Sequence, residues 1–186
     1  MSRFFAVAKG FEEEGINLPQ RSTEFSAGYD FEAAEDIVVP SIWKNYTDIL
    51  ERKISMTEVV DELGWMTYPE YFDIKNVESN GFKPSMIKTG IKASMGDGEV
   101  LYLYNRSSNP KVGLILANSV GLIDKDYFEN TDNDGHIFVP FFNFSDRDLT
   151  IKKGQRVAQG VFSPYLTVAN DTATGKRTGG LGSTGR

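Results

Sequence analysis

Cysteine is absent from the 186 residues, which excludes disulfide staples, thiolate metal sites and a thiol nucleophile. Histidine occurs once, at His136. With no supporting spacing around it, a Ser-His-Asp triad or a histidine-rich zinc site is excluded too, and His136 reads as a strand-edge residue. No apolar run approaches the roughly 20 residues of a membrane-spanning helix. The apolar run within Met1–Ala8 is also too short for a secretory signal. A soluble cytoplasmic protein with no membrane partner is therefore expected. Positive charge is in deficit, with 20 Lys and Arg against 26 Asp and Glu and a net charge of −6. Broad binding to nucleic-acid backbones needs many phosphate-neutralising cations and is not expected. A mononucleotide is a different matter, because a few placed arginines and a divalent cation suffice to hold one triphosphate.

What is present suits a single domain. The chain is 40% hydrophobic and 12% aromatic, enough for an ordinary core. Short apolar runs bounded by turn residues recur along it: 26–34, Ile37-Val38-Val39 stopped by Pro40, 86–93, 100–104, 112–117, 121–123, 137–144, 149–151 and 157–162. Gly96-Asp97-Gly98 reads as a hairpin turn between two of these runs. Strands at this spacing predict an all-β, antiparallel barrel of jelly-roll-like form. Residues 41–80 break the pattern. Trp43, Tyr46, Ile49 and Leu50 fall at helical spacing, and Ser55-Met56-Thr57-Glu58 is a capping-box pattern. A helical insertion is expected there, and it is a candidate docking segment for a protein partner.

Several turns carry polar groups suited to a phosphorylated ligand. Arg106-Ser107-Ser108-Asn109-Pro110-Lys111 sets a guanidinium and two hydroxyls in a turn that Pro110 keeps from continuing as strand. Asn118 to Gly121 reads as a tight hairpin tip. Asp124 ends the short run that follows, where a carboxylate is partly desolvated and able to take a proton from water. Asp124 and Asp126 equally suit turn capping, and Tyr127 equally suits a core ring. Gln159, in Gly154-Gln155-Arg156-Val157-Ala158-Gln159-Gly160, can donate and accept, so it can orient a water or a phosphate oxygen. The segment Gly179-Gly180-Leu181-Gly182-Ser183-Thr184-Gly185-Arg186 is glycine-rich, which lets backbone N–H groups turn toward an anion. With Arg177 it forms an arm, residues 172–186, that could fold over a ligand held elsewhere.

Taken together and in this order, Ala27-Gly28-Tyr29-Asp30-Phe31, Arg106-Ser107-Ser108, Gly121-Leu122-Ile123-Asp124-Lys125-Asp126-Tyr127, Gly154 to Gln159 and Gly179 to Gly185 resemble the trimeric dUTPase family. The resemblance is to the forms of Gram-positive bacteria and their phages. The resemblance covers 1–40 and 84–186. It implies a β-clip barrel assembled as a homotrimer, with the arm of one chain closing a site built by two others. It implies Asp124 as the carboxylate that activates water for attack on the α-phosphorus of dUTP, giving dUMP and pyrophosphate, with Gln159 near the α-phosphate. Arg106, Ser107 and Ser108 would bind phosphate, and Asp30 would reach Mg²⁺ through water. Asn118 and Gly121 would line the uracil pocket, and Tyr127 would pack under the deoxyribose. Arg177, Gly180, Leu181, Gly182 and Ser183 would belong to the lid.

Three positions depart from the family pattern. Leu181 stands where a phenylalanine usually stacks on the base, Lys176 competes with Arg177 for the phosphate-binding register, and Ser108 replaces the commoner glycine. The nearest rival reading is a dCTP deaminase, which shares the Arg-Ser-Ser turn. Its glutamate in a Thr-Leu-Glu context has no counterpart in Phe128 to Gly135. A partner-binding module acting through 41–80, and a noncatalytic jelly-roll protein, are the remaining alternatives.

Overall fold

The computed structural model describes residues 3–43, 83–177 and 179–180. The expected helical insertion and its partner-binding role fall almost wholly on residues outside these. So do Leu181, Gly182 and Ser183.

Among the described residues twelve strands run in chain order: β1 Phe4–Val7, β2 Gln20–Arg21, β3 Tyr29–Glu32, β4 Ile37–Val39, β5 Ser85–Lys88, β6 Ile91–Ser94, β7 Glu99–Asn105, β8 Leu114–Leu116, β9 Val120–Asp124, β10 Phe138–Asn143, β11 Leu149–Ile151 and β12 Arg156–Pro164. The largest sheet has the order β2-β3-β12-β7-β9. Smaller sheets pair β5-β10-β8, β11-β4 and β1-β6. Every strand pairing is antiparallel. The sheets wrap one core of Phe31, Ile87, Leu101, Leu103, Val139, Phe141 and their neighbours, so the fold is the jelly-roll-like barrel the sequence predicts. Alternation along β10 explains its placement, since Val139, Phe141 and Asn143 point inward while Phe138, Pro140 and Phe142 lie nearer the surface.

Four local expectations need correction. The run 86–93 is not one strand. Gly90 adopts φ +69, and Thr89 turns its hydroxyl onto the Ile137 carbonyl at 2.6 Å, so the chain breaks into β5 and β6. The turn 96–98 is not a hairpin, because β6 pairs with β1 whereas β7 lies between β12 and β9. The turn at Asn118 and Ser119 is tight, with Ser119 at φ 58, but it too passes the chain between sheets, from β8 to β9. His136 is not a strand-edge residue but lies two residues before β10. It is buried, 6% exposed, between the rings of Phe11 and Phe138.

Candidate active site

The register of the large sheet sets the first group of polar residues. Gln159 on β12 faces Asp30 on β3 and Tyr104 on β7, and cross-strand partners share a face. Glycine makes the room. A Cβ at Gly28 would lie 2.8 Å from Gln159 Oε1, so any other residue there would push the glutamine aside. Gln159 Nε2 donates to the Asn105 carbonyl at 3.2 Å, which aims the side chain toward the turn that follows β7. A cavity of ≈ 360 Å³ opens there, lined among others by Gly28, Asp30, Arg106, Ser107 and Gln159.

Asp30 is held more tightly than its sequence motif suggests. Arg106 Nε donates to its Oδ1 at 3.0 Å, and Arg156 Nη1 and Ser22 Oγ donate to its Oδ2 at 3.1 and 2.9 Å. Arg156 and Ser22 were not among the residues singled out from sequence. Arg156 sits in the right motif, yet nothing local reveals that its partner lies across β12 on β3. Ser107 lines the cavity, whereas Ser108 is exposed at the start of the 3₁₀ turn Asn109–Val112.

The second group lies around the end of β9. Asp124 closes the strand, and the 3₁₀ turn Lys125–Tyr127 follows. Arg177 from the tail bridges the two acids, with Nη2 donating to Asp124 Oδ2 at 2.6 Å and Nε to Asp126 Oδ1 at 2.9 Å. Its guanidinium stands 5.6 Å from the centroid of the Tyr127 ring, a cation–π distance. Tyr127 is buried, and burial pushes its phenol pKa up against the opposing pull of Asn133 and Arg177. The Gly180 N–H donates to Asp132 Oδ2 at 3.2 Å. The described tail therefore lies on Asp124 of its own chain, where the resemblance leads one to expect an arm that crosses to another copy. Two carboxylates and a ring face suit a guanidinium in either arrangement.

The two groups do not meet within one chain. Asp124 pairs with Val100 on β7, and Arg106 lies six residues beyond Val100, about 20 Å at ~3.3 Å per extended residue. Asn118 and Gly121 occupy the intervening part of β9 and the turn before it, with Gly121 opposite Leu103.

No cluster of three or more His, Asp or Glu side chains among the described residues could cage a metal ion. Asp30 nevertheless fits a water-mediated role. A carboxylate offers about four lone-pair positions, and the donors named above use three of them. One position on Oδ1 is left for an ordered water. That suits Mg²⁺, which keeps its waters and takes most ligands from substrate phosphates.

The dUTPase family model matches residues 72–185. The chain is 44% identical to the deoxyuridine 5'-triphosphate nucleotidohydrolase of Lactococcus lactis, over 98% of this chain and 97% of that protein. The chain belongs to the dUTPase family. The dUTPase of Streptococcus mutans is similar in structure, with TM-score 0.65, 33% identity, and 90% and 99% of the two chains covered. The dUTPase from phage phi11 of S. aureus, a structure that visualises a species-specific insert, has the same fold with TM-score 0.59 at 16% identity, covering 93% of this chain and 96% of that one. Membership makes the protein a nucleotide-metabolising hydrolase of the Gram-positive type.

Proposed function

We propose that this dUTPase-family enzyme splits dUTP into dUMP and pyrophosphate at sites shared between the copies of a homotrimer. The attacking water gives a proton to Asp124 as its oxygen bonds to the α-phosphorus. The bond from that phosphorus to the oxygen bridging to the β-phosphate breaks, and pyrophosphate leaves. Arg106 and Ser107 bind phosphate oxygens, Gln159 orients the water or an α-phosphate oxygen, and Ser108 supports the turn. Asn118 and Gly121 line the base pocket, and Tyr127 packs under the sugar. Arg177, Gly180, Leu181, Gly182 and Ser183 close over the nucleotide. Asp30 would hold Mg²⁺ through a water, and the ion would supply neutralisation of phosphate charge.

The observation that carries this reading is the distance between Asp124 and the Arg106–Gln159 cavity. A triphosphate cannot engage both within one chain, and a second copy supplies the missing half. The test follows from symmetry. Asp124→Asn and Arg106→Ala proteins each lose pyrophosphate release from dUTP. Unfolded together and refolded as mixed trimers, they regain activity, because about a quarter of the sites draw an intact Asp124 from one chain and an intact Arg106 from another. Mixed trimers as inactive as their parents would refute the shared site. Ammonia release from dCTP in place of pyrophosphate would favour the deaminase reading.

A further inference from the structure

The loop between Tyr127 and β10 contains a pair of asparagines that the proposed reaction does not use. Asn133 Nδ2 donates to the Tyr127 hydroxyl at 2.8 Å, and that hydroxyl donates in turn to the His136 carbonyl at 2.9 Å. Asn130 Nδ2 donates to the Tyr127 carbonyl and to Asn133 Oδ1, both at 2.8 Å. Asn133 Oδ1 also accepts from the Gly135 N–H at 3.2 Å, and Asn130 Oδ1 accepts the Asn133 N–H at 3.1 Å. The tyrosine is thus gripped at both ends, its backbone by Asn130 and its phenol by Asn133.

The loop that carries the pair is itself fixed. Gly135 adopts φ +78, and a Cβ there would lie 2.7 Å from the Tyr127 carbonyl oxygen. Lys92 on β6 donates to Asp134 at 2.9 Å and to Glu129 at 3.2 Å. Partial burial pulls the Lys92 pKa down, but the two carboxylates outweigh it and leave the ammonium firmly charged. Loop 128–135 is therefore clamped to the barrel from outside and to Tyr127 from inside.

We infer that Asn133 is a positioning residue for sugar recognition: by holding the Tyr127 hydroxyl against the His136 carbonyl, it sets the plane of the ring beneath the nucleotide's sugar, and so sets how strongly a 2′-hydroxyl is refused. The inference rests on the dUTP reading above. A ring held at both its backbone and its tip cannot tilt to make space. A buried ribose hydroxyl would meet a fixed carbon surface with no partner, and sites of that kind discriminate strongly. With the tip released the ring yields, and the refusal weakens.

Asn133→Asp tests this without changing shape. A carboxylate only accepts, so it cannot donate to a phenol whose own proton is committed to His136. Its added negative charge disfavours dUTP and UTP alike and cancels in their ratio. The expected result is a fall of about tenfold in the preference of kcat/KM for dUTP over UTP, the factor that matches one ordinary hydrogen bond. It arises in KM, with kcat on dUTP nearly unchanged. Tyr127→Phe removes the same bond from the other side, together with the donation to the His136 carbonyl, and lowers the preference at least as much. In the Tyr127→Phe background, Asn133→Asp changes the preference no further. A wild-type preference retained by either single variant overturns the inference, as does an undiminished effect of Asn133→Asp in the double variant. Should Asn133→Asp fail to fold, Tyr127→Phe alone decides. Wild-type protein that does not hydrolyse dUTP would instead defeat the underlying reading.

Discussion

His136 makes the fold's stability depend on pH in a range where ordinary carboxylates are silent. Its Nε2 accepts the Gly90 N–H at 3.0 Å, so the imidazole is neutral and its acceptor nitrogen is in use. Burial pushes its pKa down to about 4, the nearby Lys88 charge pushes the same way, and Glu35 opposes them. The unfolded chain, with a histidine of ordinary pKa, takes up a proton as pH drops below 6.5, while the folded protein does not until about pH 4. The unfolded state then binds more protons, so stability falls with falling pH across this window. The loss comes to about 2 kcal/mol at pH 5 and about 3 kcal/mol at pH 4.

Asp36, Asp97, Glu99 and Asp134 also have lowered pKa values, from side-chain and backbone hydrogen bonds that outweigh burial. Each carboxylate contributes stability above its unfolded pKa that is lost as pH falls through its folded value, which lies lower still. They therefore act from about pH 5 downward and overlap only the lower end of the histidine window. Urea unfolding at fixed protomer concentration, because association adds to stability, should show a midpoint that drops from pH 7.5 to 5 at constant m. His136→Gln keeps an acceptor for Gly90 without the titration, and should flatten that slope. A wild-type midpoint that does not move, or a His136→Gln protein with the wild-type slope, would refute the reasoning.

Two further outcomes follow from close contacts. A Cβ at Gly160 would lie 2.6 Å from the Phe31 ring inside the barrel, so Gly160→Ala should lower stability by about 1–3 kcal/mol in urea titrations through overpacking; unchanged stability would mean that Phe31 has room to move. Arg177→Ala should cut kcat/KM for dUTP by about tenfold or more, the loss expected for hydrogen bonds to a charged partner, whereas Lys176→Ala, at an exposed position, should leave steady-state rates near wild type. Equal effects of the two would reopen the choice of phosphate ligand in the tail.

The strands and the order of the polar motifs were legible because they are local. Alternation over 137–144 and turn residues at 118–119 are written in adjacent positions, and the structure keeps them within a residue or two as β10 and the turn before β9. What was hidden depends on which strands become neighbours. The turns at 96–98 and 118–119 look like hairpins, yet each joins strands of different sheets, a long-range choice that no turn dipeptide encodes. The break at Thr89 and Gly90 follows from the Ile137 carbonyl that captures the threonine hydroxyl, 48 residues along the chain. Arg156 and Asn133 were missed for a similar reason: an arginine at a strand start and an asparagine in a polar loop are ordinary until Asp30 and the Tyr127 hydroxyl are found beside them.

The two site carboxylates illustrate how partners, not residue type, divide labour. Asp30 is 16% exposed and takes donors from two arginines and a serine, all rooted in the barrel or the loop beside it. Its oxygens are committed before any ligand arrives, which suits a group that fixes the arginines' orientation and holds at most one water. Asp124 is 42% exposed and its ion pair is to a single guanidinium, carried by the tail. A base must have an oxygen free when the reacting water is in place. Phosphate competes with a carboxylate for a guanidinium on favourable terms, since its oxygens match the same fork of donors and carry more charge. Arrival of a triphosphate would therefore draw Arg177 away from Asp124 and release the base in the same step. Asp30 keeps Arg156 and Ser22 on its Oδ2 even when Arg106 turns to phosphate. Of the two acids that the motifs offer, the proposed mechanism assigns proton acceptance to Asp124, the one whose ion-pair partner is carried by the tail.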